Sequence, residues 1–495
     1  MRGKRGILCL MLAAAVLLSG CSNLMLFEAQ SVRNVELPDV SGEEYVAPWG
    51  DSQADYLERT GLYYVNEDAQ QLTRSEISYL LTPAEDQAVT ILNRLLGETP
   101  DDMTAVAPEG TRLLGVEVTG NIATVNLSLE ARGAQSDQQL LWLYAAIANT
   151  LTELDDVDGV NILINGRQEA ILSLPMGVMT QSDGDLAALW AQQQADAQRA
   201  QVSEVSSMDR VALLYFPASE GEWFVAEARE LTFVDGNYAT TLLAALSQPA
   251  QEVNAQPVLN AVNALASTPS VLVTEEGFRF LRLDFTEEIR SLMEEAGVSA
   301  YEFVGMLALT MTSFIPEIDG VQISVEGSLF REISAGGAVH SFEEGVILRS
   351  DFADEIGDVV RLYFRAEEGG LRAVERVVSP IVARSPRLLL LQLMQDQNGW
   401  ISAFPDGCSG DDILGVRIAD GVAHVNLSAN FYRLCQGMDF SAERDLVYAI
   451  VNTLTELTNV RGVQFSFEGK LAETLVDAIY LKTVLLRNPG LVREE

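Results

Sequence analysis

The sequence predicts an α+β protein built from three tandem small domains of one fold. Two sequence motifs, the repeated words Val-Asn-Leu-Ser and Asn-Thr-Leu-Thr-Glu-Leu, occur as a pair, in that order, more than once. The pairs lie at 125–128 and 149–154, at 425–428 and 452–457, and, in divergent form, at 283–286 and 309–314. A repeat of roughly 150 residues is the size of a whole domain. A chain of 495 residues has room for three such domains.

In the first copy the predicted order is β-β-α-β-β-α-β, a β-sheet packed on two helices. The elements are strands at 62–65 and 72–81, a helix starting at Thr82, a hairpin at 113–118 and 122–127, a helix at 138–154 and a strand at 159–164. Pro83 suits the first turn of a helix. Gly120-Asn121 is typical of a hairpin turn. Leu141, Tyr144 and Ala148 lie on one helical stripe.

The other two copies repeat this order. Their hairpins are predicted at 271–285 and 413–427. In every copy the closing strand lies between two glycines seven residues apart, at Gly159 and Gly166, Gly320 and Gly327, and Gly462 and Gly469. This constant spacing predicts one strand of fixed length bounded by glycine turns.

The composition between the copies suggests domain boundaries. We expect a signal peptide at 1–20, an acidic tether at 21–56, domains at 57–180, 209–332 and 357–485, linkers at 181–208 and 333–356, and a tail at 486–495. The first linker is rich in Ala, Gln and acids and could form a polar helix. Residues 471–486 are apolar at near-helical spacing.

The N-terminus has the features of an export signal. A basic segment, Met1 to Arg5, precedes an apolar run that is too short to span a bilayer. Leu-Ser-Gly-Cys at 18–21 resembles the lipobox of bacterial lipoproteins, in which the cysteine is acylated and becomes the mature N-terminus. We therefore predict a lipid anchor on Cys21. An ordinary signal peptide that contains a cysteine is the alternative.

The charge balance is strongly acidic. The chain has 71 acidic and 32 basic residues, a net charge of −39. Nucleic-acid binding needs clustered Lys and Arg, so the composition argues against it. The same surface would repel anionic lipid headgroups and attract cationic partners or divalent ions. Solubility alone is the simpler explanation.

Two cysteines remain outside the signal, Cys408 and Cys435. Disulfides are permitted outside the membrane, so this pair is a candidate disulfide, although two cysteines alone do not establish a bridge. The chain has no CxxC and two histidines, His340 and His424, so we expect no metal site and no cofactor. Calcium in the loop 406–412 is a weak alternative, because this loop does not match an EF-hand.

No catalytic motif is present. The sequence lacks GxSxG, a P-loop, HExxH and a dinucleotide fingerprint. Paired acids such as Asp155-Asp156 are expected by chance in so acidic a chain. We predict no catalytic residues.

The polar residues of the repeated words are predicted to be structural. Side-chain oxygens and amides there could bond the backbone where the second helix ends, or bond the adjacent hairpin. The residues concerned are Asn126, Ser128, Asn149, Thr150, Glu153, Asn426, Ser428, Asn452, Thr453 and Glu456.

These words, with the aromatic opening strand and the closing Gly-Val…Gly strand, resemble the GerMN domain family of sporulation and spore-germination lipoproteins. The resemblance implies a compact fold similar to the ring-building domains of secretion-type assemblies. It also implies a non-enzymatic role in an envelope complex.

We therefore expect a lipoprotein on the extracytoplasmic face of the cell membrane, acting as a scaffold or assembly factor in sporulation or germination. Its partners would be an envelope protein complex or further copies of itself, docked through sheet edges or helix faces. A binding protein for wall polymer or a small ligand is the alternative. A cell-wall hydrolase is the least favoured interpretation.

Overall fold

The computed structural model describes residues 56–81, 86–202, 206–219, 223–250, 260–395, 400–476 and 479–493. The predicted signal peptide, the lipid attachment site Cys21 and the tether up to residue 55 lie outside these ranges. Among the helices of the described ranges, none combines the length and the apolar character needed to cross a membrane.

Domain 1 has the predicted order of elements. They are β1 (Tyr56–Asn66), β2 (Gln71–Leu81), α1 (Gln87–Gly97), β3 (Leu113–Thr119), β4 (Ile122–Leu127), α2 (Asp137–Leu151) and β5 (Gly159–Ile164). Asp86 caps α1 by accepting the N–H groups of Ala88 and Val89. The described helix thus begins at Gln87, and residues 82–85 of its predicted start lie outside the described ranges.

The strands of domain 1 form two sheets. β1 and β2 pair as an antiparallel hairpin, and β3, β4 and β5 form a second sheet in that order. β4 and β5 run parallel, so α2 is the crossover between them. Helix α2 is buried on nearly every side between the two sheets, which explains why it is apolar all round.

Domain 2 repeats this order, with an additional helix before the second long helix and short elements at its end. They are β6 (Ser207–Pro217), β7 (Phe224–Val234), α4 (Tyr238–Leu246), β8 (Ser270–Val273), β9 (Arg279–Phe285), α5 (Glu288–Ala296), α6 (Ala300–Phe314), β10 (Gly320–Val325), β11 (Ser328–Leu329), β12 (Glu332–Ala335), β13 (Ala338–Ser341) and β14 (Val346–Ile347). Helix α3 (Leu186–Val202) precedes it.

Domain 3 has the same plan. It contains β15 (Ile356–Arg365), β16 (Leu371–Val378), α7 (Pro380–Arg384), α8 (Pro386–Leu393), β17 (Ile413–Ala419), β18 (Val422–Leu427), α9 (Ala429–Cys435), α10 (Phe440–Leu454), β19 (Gly462–Phe467) and β20 (Leu485–Leu486). The predicted fold class, α+β with tandem small domains, is confirmed.

Each domain also has a segment that the sequence did not predict. After the closing strand the chain returns and pairs antiparallel with the start of that strand. The pairs are Val160 with Met179, Val321 with Ile347, and Val463 with Leu485.

This returning segment explains the first glycine of each repeated pair. A Cβ on Gly320 would lie 2.6 Å from the carbonyl oxygen of Ile347, and one on Gly462 would lie 2.9 Å from that of Leu485. The second glycine serves a turn, as predicted, since Gly166 has a φ of 79°. The two glycines of a pair are therefore required for different reasons, the first for the close approach of another backbone segment and the second for a turn.

Two segments predicted to connect or trail the domains belong to them. In 333–356, β14 pairs with β10 and Phe352 lies in the core of domain 2. Near the C-terminus, β20 pairs with β19, and Arg493 donates its N–H to the carbonyl of Leu371. The described part of 471–486 contains β20 and no helix. Apolar spacing alone did not distinguish a packed irregular segment from a helix.

The domains pack against one another. The hairpins of domains 2 and 3 join in a four-stranded sheet of order β16-β15-β7-β6, with β15 and β7 parallel at Ile356 and Phe224. Helix α3 bridges domains 1 and 2, because Leu186 donates its N–H to Gln70 and Arg210 pairs with Asp196 at 2.9 Å. Within the predicted linker, residues 186–202 are thus a docked helix.

Candidate functional site

The repeated threonine joins the second long helix of each domain to its first strand. Thr150 Oγ1 accepts the N–H of Tyr63 at 3.0 Å, and Thr453 Oγ1 accepts that of Tyr363 at 3.2 Å. The divergent copy keeps the contact, because Thr310 Oγ1 accepts the N–H of Tyr215 at 3.0 Å. This backbone group would otherwise be buried without a partner.

The repeated glutamate receives a tyrosine hydroxyl and an arginine. In domain 1, Tyr63 donates its hydroxyl to Glu153 at 2.8 Å, and Arg74 donates through Nε at 2.8 Å and Nη2 at 2.9 Å. Bonding to Arg74 holds the pKa of Glu153 below its ordinary value. The arginine lies on β2, remote in sequence from the motif, so the pattern of the words did not reveal it.

Domain 3 builds the same triad with an arginine from a different element. Tyr363 donates its hydroxyl to Glu456 at 2.5 Å, and Arg487 contacts both groups. Burial and the bond to Glu456 raise the pKa of Tyr363 to about 12. Arg487 follows β20, in the segment that returns across the closing strand.

Domain 2 completes its triad from outside the domain. Ser313 stands where the other copies have glutamate, and Arg349 donates to its hydroxyl at 2.7 Å and to the Tyr215 hydroxyl at 2.8 Å. The nearest carboxylate is that of Glu117 on β3 of domain 1, 3.8 Å from Arg349. This distance makes an ion pair without a hydrogen bond. Burial raises the pKa of Glu117, and Arg349 opposes the shift.

The repeated asparagine at the end of the second helix binds the returning segment. Asn149 exchanges hydrogen bonds with the backbone of Ser182, donating at 3.0 Å and accepting at 2.9 Å. Asn452 does the same with Asn488, at 3.1 and 2.9 Å. Domain 2 has Leu309 at this position and lacks the pair.

The asparagine of the Val-Asn-Leu-Ser motif binds the turn after the closing strand. Asn126 accepts the N–H of Gly166 at 2.8 Å, and Asn426 accepts that of Gly469 at 2.8 Å. The serines also bond the backbone. Ser128 accepts the N–H of Arg112 at 3.0 Å, and Ser428 accepts that of Phe431 at 3.0 Å. The structure thus places all ten repeated polar residues in hydrogen bonds within domains 1 and 3.

The interface between domains 1 and 2 is charged and partly buried. Arg167 pairs with Asp319 at 2.7 Å, and Glu317 donates its N–H to the carbonyl of Gln168 at 2.7 Å. Glu169 contacts Arg132 and lies 3.3 Å from Arg167. Burial nevertheless raises the pKa of Glu169 to about 7, with Glu317 and Asp319 adding to the shift against the opposing effect of Arg167.

Domain 3 closes onto domain 1 through an arginine and an aspartate. Arg384 pairs with Asp156 at 2.7 Å and Asp86 at 3.1 Å. Asp358 accepts the N–H of Gly120, at the tip of the β3–β4 hairpin, through a long bond of 3.5 Å. Burial raises the pKa of Asp358 to about 6. The three domains are therefore held in one arrangement by ion pairs as well as by the shared sheet.

The cysteines are not bridged in the structure. Cys408 and Cys435 are both free thiols, so the candidate disulfide is absent. Cys435 is buried in the core of domain 3, where it packs as a small apolar side chain. Burial raises the pKa of each thiol to about 12, which disfavours the thiolate that oxidation requires.

The two histidines lie in different domains of the described structure. His424 lies on β18, where burial lowers its pKa to about 4, and His340 lies against the ring of Tyr301 at 4.2 Å between centroids. Within the described ranges, no group of three or more His, Cys, Asp and Glu side chains could hold a metal ion. In the loop 406–412, Asp412 instead bonds Ser409 and Asn430.

The described surface has an open groove of about 600 Å³ along the exposed face of α1. It is lined by Asp86, Val89, Thr90, Asn93, Arg94, Gly97 and Glu98.

Three docked copies of one α+β fold, each with the same threonine contact to its first strand, define a tandem-domain protein. The chain belongs to the Germane family, described as sporulation and spore germination, whose model matches residues 61–170, 213–329 and 361–473. No curated protein matches the chain significantly.

Solved structures with similarity to the chain include GerMN domains. The tandem GerMN domains of the sporulation protein GerM from Bacillus subtilis are 18% identical, with a TM-score of 0.22, over 55% of this chain and 92% of that chain. The first GerMN domain of GerM is 21% identical, with a TM-score of 0.20, over 26% and 96%. A candidate lipoprotein from Clostridium perfringens is 22% identical, with a TM-score of 0.18, over 26% and 88%.

Proposed function

We propose that this protein is a lipid-anchored, non-enzymatic scaffold or assembly factor of the cell envelope that acts in sporulation or spore germination. The family match supports the process. The predicted lipobox at Cys21 supports the anchor and the extracytoplasmic location. Docking with an envelope protein complex, or with further copies of the chain, would be its activity.

The observation that best supports the scaffold role is that the repeated polar residues form hydrogen bonds within their own domains. In each domain the repeated threonine holds a strand, and in domains 1 and 3 the glutamate binds the neighbouring tyrosine and arginine. Side chains committed to internal bonds favour a structural frame over a repeated active site. Three such domains docked together offer a large surface for partners.

The test is a crosslinking pull-down of the tagged, lipidated full chain from its native membrane during sporulation and germination. Recovery of a defined envelope complex, lost when one domain is deleted, is the expected result. A Cys21→Ala variant should lose membrane attachment. Recovery of the bait alone and uncrosslinked at every stage would contradict the proposal, because neither another envelope protein nor a second copy would then be docked.

The groove along α1 supports one alternative, a binding protein for wall polymer or a small ligand. Thr90, Asn93 and Arg94 offer hydrogen-bonding groups along it. A saturable rise in melting temperature with purified wall fragments, abolished by Asn93→Ala, would favour this function. The scaffold predicts no such shift.

A further inference from the structure

The hairpin of domain 2 has an exposed apolar edge. Strand β8 is the terminal strand of its sheet, and all four of its residues are exposed. Val271, Leu272 and Val273 are 42%, 40% and 55% exposed. Phe278, beyond the turn, is 53% exposed and stacks on Phe280. A hydrophobic edge strand is a template for pairing with another strand unless something covers it.

The same hairpin in domain 1 is largely buried and contacts both sister domains. By the alignment of the repeated words, Val271 and Leu272 correspond to Val118 and Thr119, which are 3% and 0% exposed. Strand β3 contacts β7 of domain 2 and β15 of domain 3. A Cβ on Gly120 would lie 2.8 Å from the carbonyl oxygen of Ala226 in domain 2.

The hairpin of domain 3 also faces a sister domain. Arg417 on β17 pairs with Glu58 on β1 of domain 1 at 3.5 Å. Two of the three equivalent hairpins thus dock against another domain of this fold. The first strand of each hairpin is terminal in its sheet, but among the three described strands β8 alone is exposed at every residue.

The charges around β8 suit pairing with a second β8. Arg282 lies opposite Ser270 at one end of the strand, and Glu275 and Glu276 lie in the turn at the other end. Two β8 strands related by a two-fold axis run antiparallel. Each arginine would then approach the glutamates of the other copy, across strands spaced about 4.8 Å apart.

We propose that β8 is a self-association surface, on which the β8 strand of a second copy of this chain pairs antiparallel. The pairing would bury Val271, Leu272 and Val273 and join the two domain 2 sheets. This inference deepens the proposed scaffold function by naming one docking surface and its occupant. It rests on that function for its role in the cell, although the pairing can be measured without it.

The test is sedimentation of the purified full chain in mild detergent, over a wide range of protein concentration. A concentration-dependent dimer is expected. Leu272→Lys should weaken the dimer by about tenfold or more, because the ammonium group would be buried in the new strand pair. The matched control is Leu114→Lys, on β3, where Leu114 is 51% exposed. This control should leave the dimer unchanged.

Charge exchange tests the antiparallel arrangement. Arg282→Glu should weaken the dimer, and so should the pair Glu275→Arg with Glu276→Arg. The triple variant should restore it. Far-ultraviolet circular dichroism checks folding, and Leu272→Thr replaces Leu272→Lys if that variant does not fold.

Several outcomes would overturn the proposal. A monomer at every concentration, or a dimer that Leu272→Lys does not affect, would place self-association elsewhere or remove it. Loss of a captured envelope protein from Leu272→Lys, with a monomeric wild type, would assign the strand to another protein. A persistent dimer with no envelope complex would contradict docking with other envelope proteins and leave this surface intact.

Discussion

Arg349 of domain 2 places its guanidinium group 3.8 Å from the carboxylate of Glu117 in domain 1. The sister domains supply this carboxylate from their own repeated glutamates, Glu153 and Glu456. In domain 2 serine stands at that position, so a repeated contact within a domain has become a contact between domains. The surroundings of Arg349 in domain 2 are therefore completed by a carboxylate of domain 1.

Replacing Glu117 should loosen the joint between domains 1 and 2. Glu117→Gln leaves the buried charge of Arg349 with neutral partners alone, and we expect a loss of about 2 kcal/mol of unfolding free energy. Urea unfolding, followed by tryptophan fluorescence, measures it. Glu130→Gln is the control, because Glu130 is largely exposed and lies 3.9 Å from Arg112. An exposed pair of this kind contributes little. Equal effects of the two variants would contradict the role of Glu117.

The threonine contact predicts that substitutions at two threonines of the same motif lower the stability by different amounts. Thr150→Val removes the acceptor for the partly buried N–H of Tyr63 and should cost about 1–3 kcal/mol. Thr152 donates to the carbonyl of Ala148, within its own helix. Thr152→Val should therefore cost less. Thermal unfolding measures both, and hydrogen exchange should be faster at the Tyr63 amide in the first variant alone.

Stability should fall as the pH rises through the range in which two interface carboxyls ionise. Burial raises the folded pKa of Glu169 to about 7 and of Asp358 to about 6, from 4.5 and 3.8. Each group stabilises the folded state to the full extent when the pH is below its unfolded pKa. This contribution is lost as the pH rises through its folded pKa. Melting temperatures measured between about pH 4 and pH 8 should decline accordingly.

The variant Asp358→Asn distinguishes the contribution of Asp358 to the pH dependence from that of Glu169. The amide oxygen can still accept the N–H groups of Val359 and Gly120 but does not ionise. We expect a flatter profile and, near neutral pH, a gain on the order of 1–2 kcal/mol. A profile identical to that of the wild type would show that Asp358 does not contribute. Glu169→Gln should remove the remaining decline near pH 7.

The returning segment predicts a steric effect at the first glycine of each pair. Gly320→Ala would place a Cβ 2.6 Å from the carbonyl oxygen of Ile347, so the β14 segment must shift. We expect a loss of about 2 kcal/mol. Gly115→Ala is the control, because no atom lies within 4 Å of its added Cβ. Chemical unfolding compares the two, and a loss in the control alone would contradict the steric argument.

The element order of each domain follows from short-range information. Apolar periodicity, Gly120-Asn121 at a turn and the repeated words are local features, and they predicted the strands of the hairpins and the second long helix. The repeated threonines could be recognised as structural for the same reason, since their type and position recur in all three copies. The arginines could not, because Arg74 comes from β2 in domain 1, whereas Arg349 and Arg487 come from the returning segments of domains 2 and 3.

The sequence by itself determined that this protein has three domains of one α+β fold and which polar residues recur in them. Tertiary structure alone decided which groups those residues meet. It placed Glu117 beside Arg349, laid the returning segments over Gly159, Gly320 and Gly462, and covered the hairpin of domain 1 while leaving Val271 and Leu272 exposed. Secondary structure depends on neighbours along the chain, whereas these contacts depend on packing between segments far apart in sequence, for which no local pattern exists.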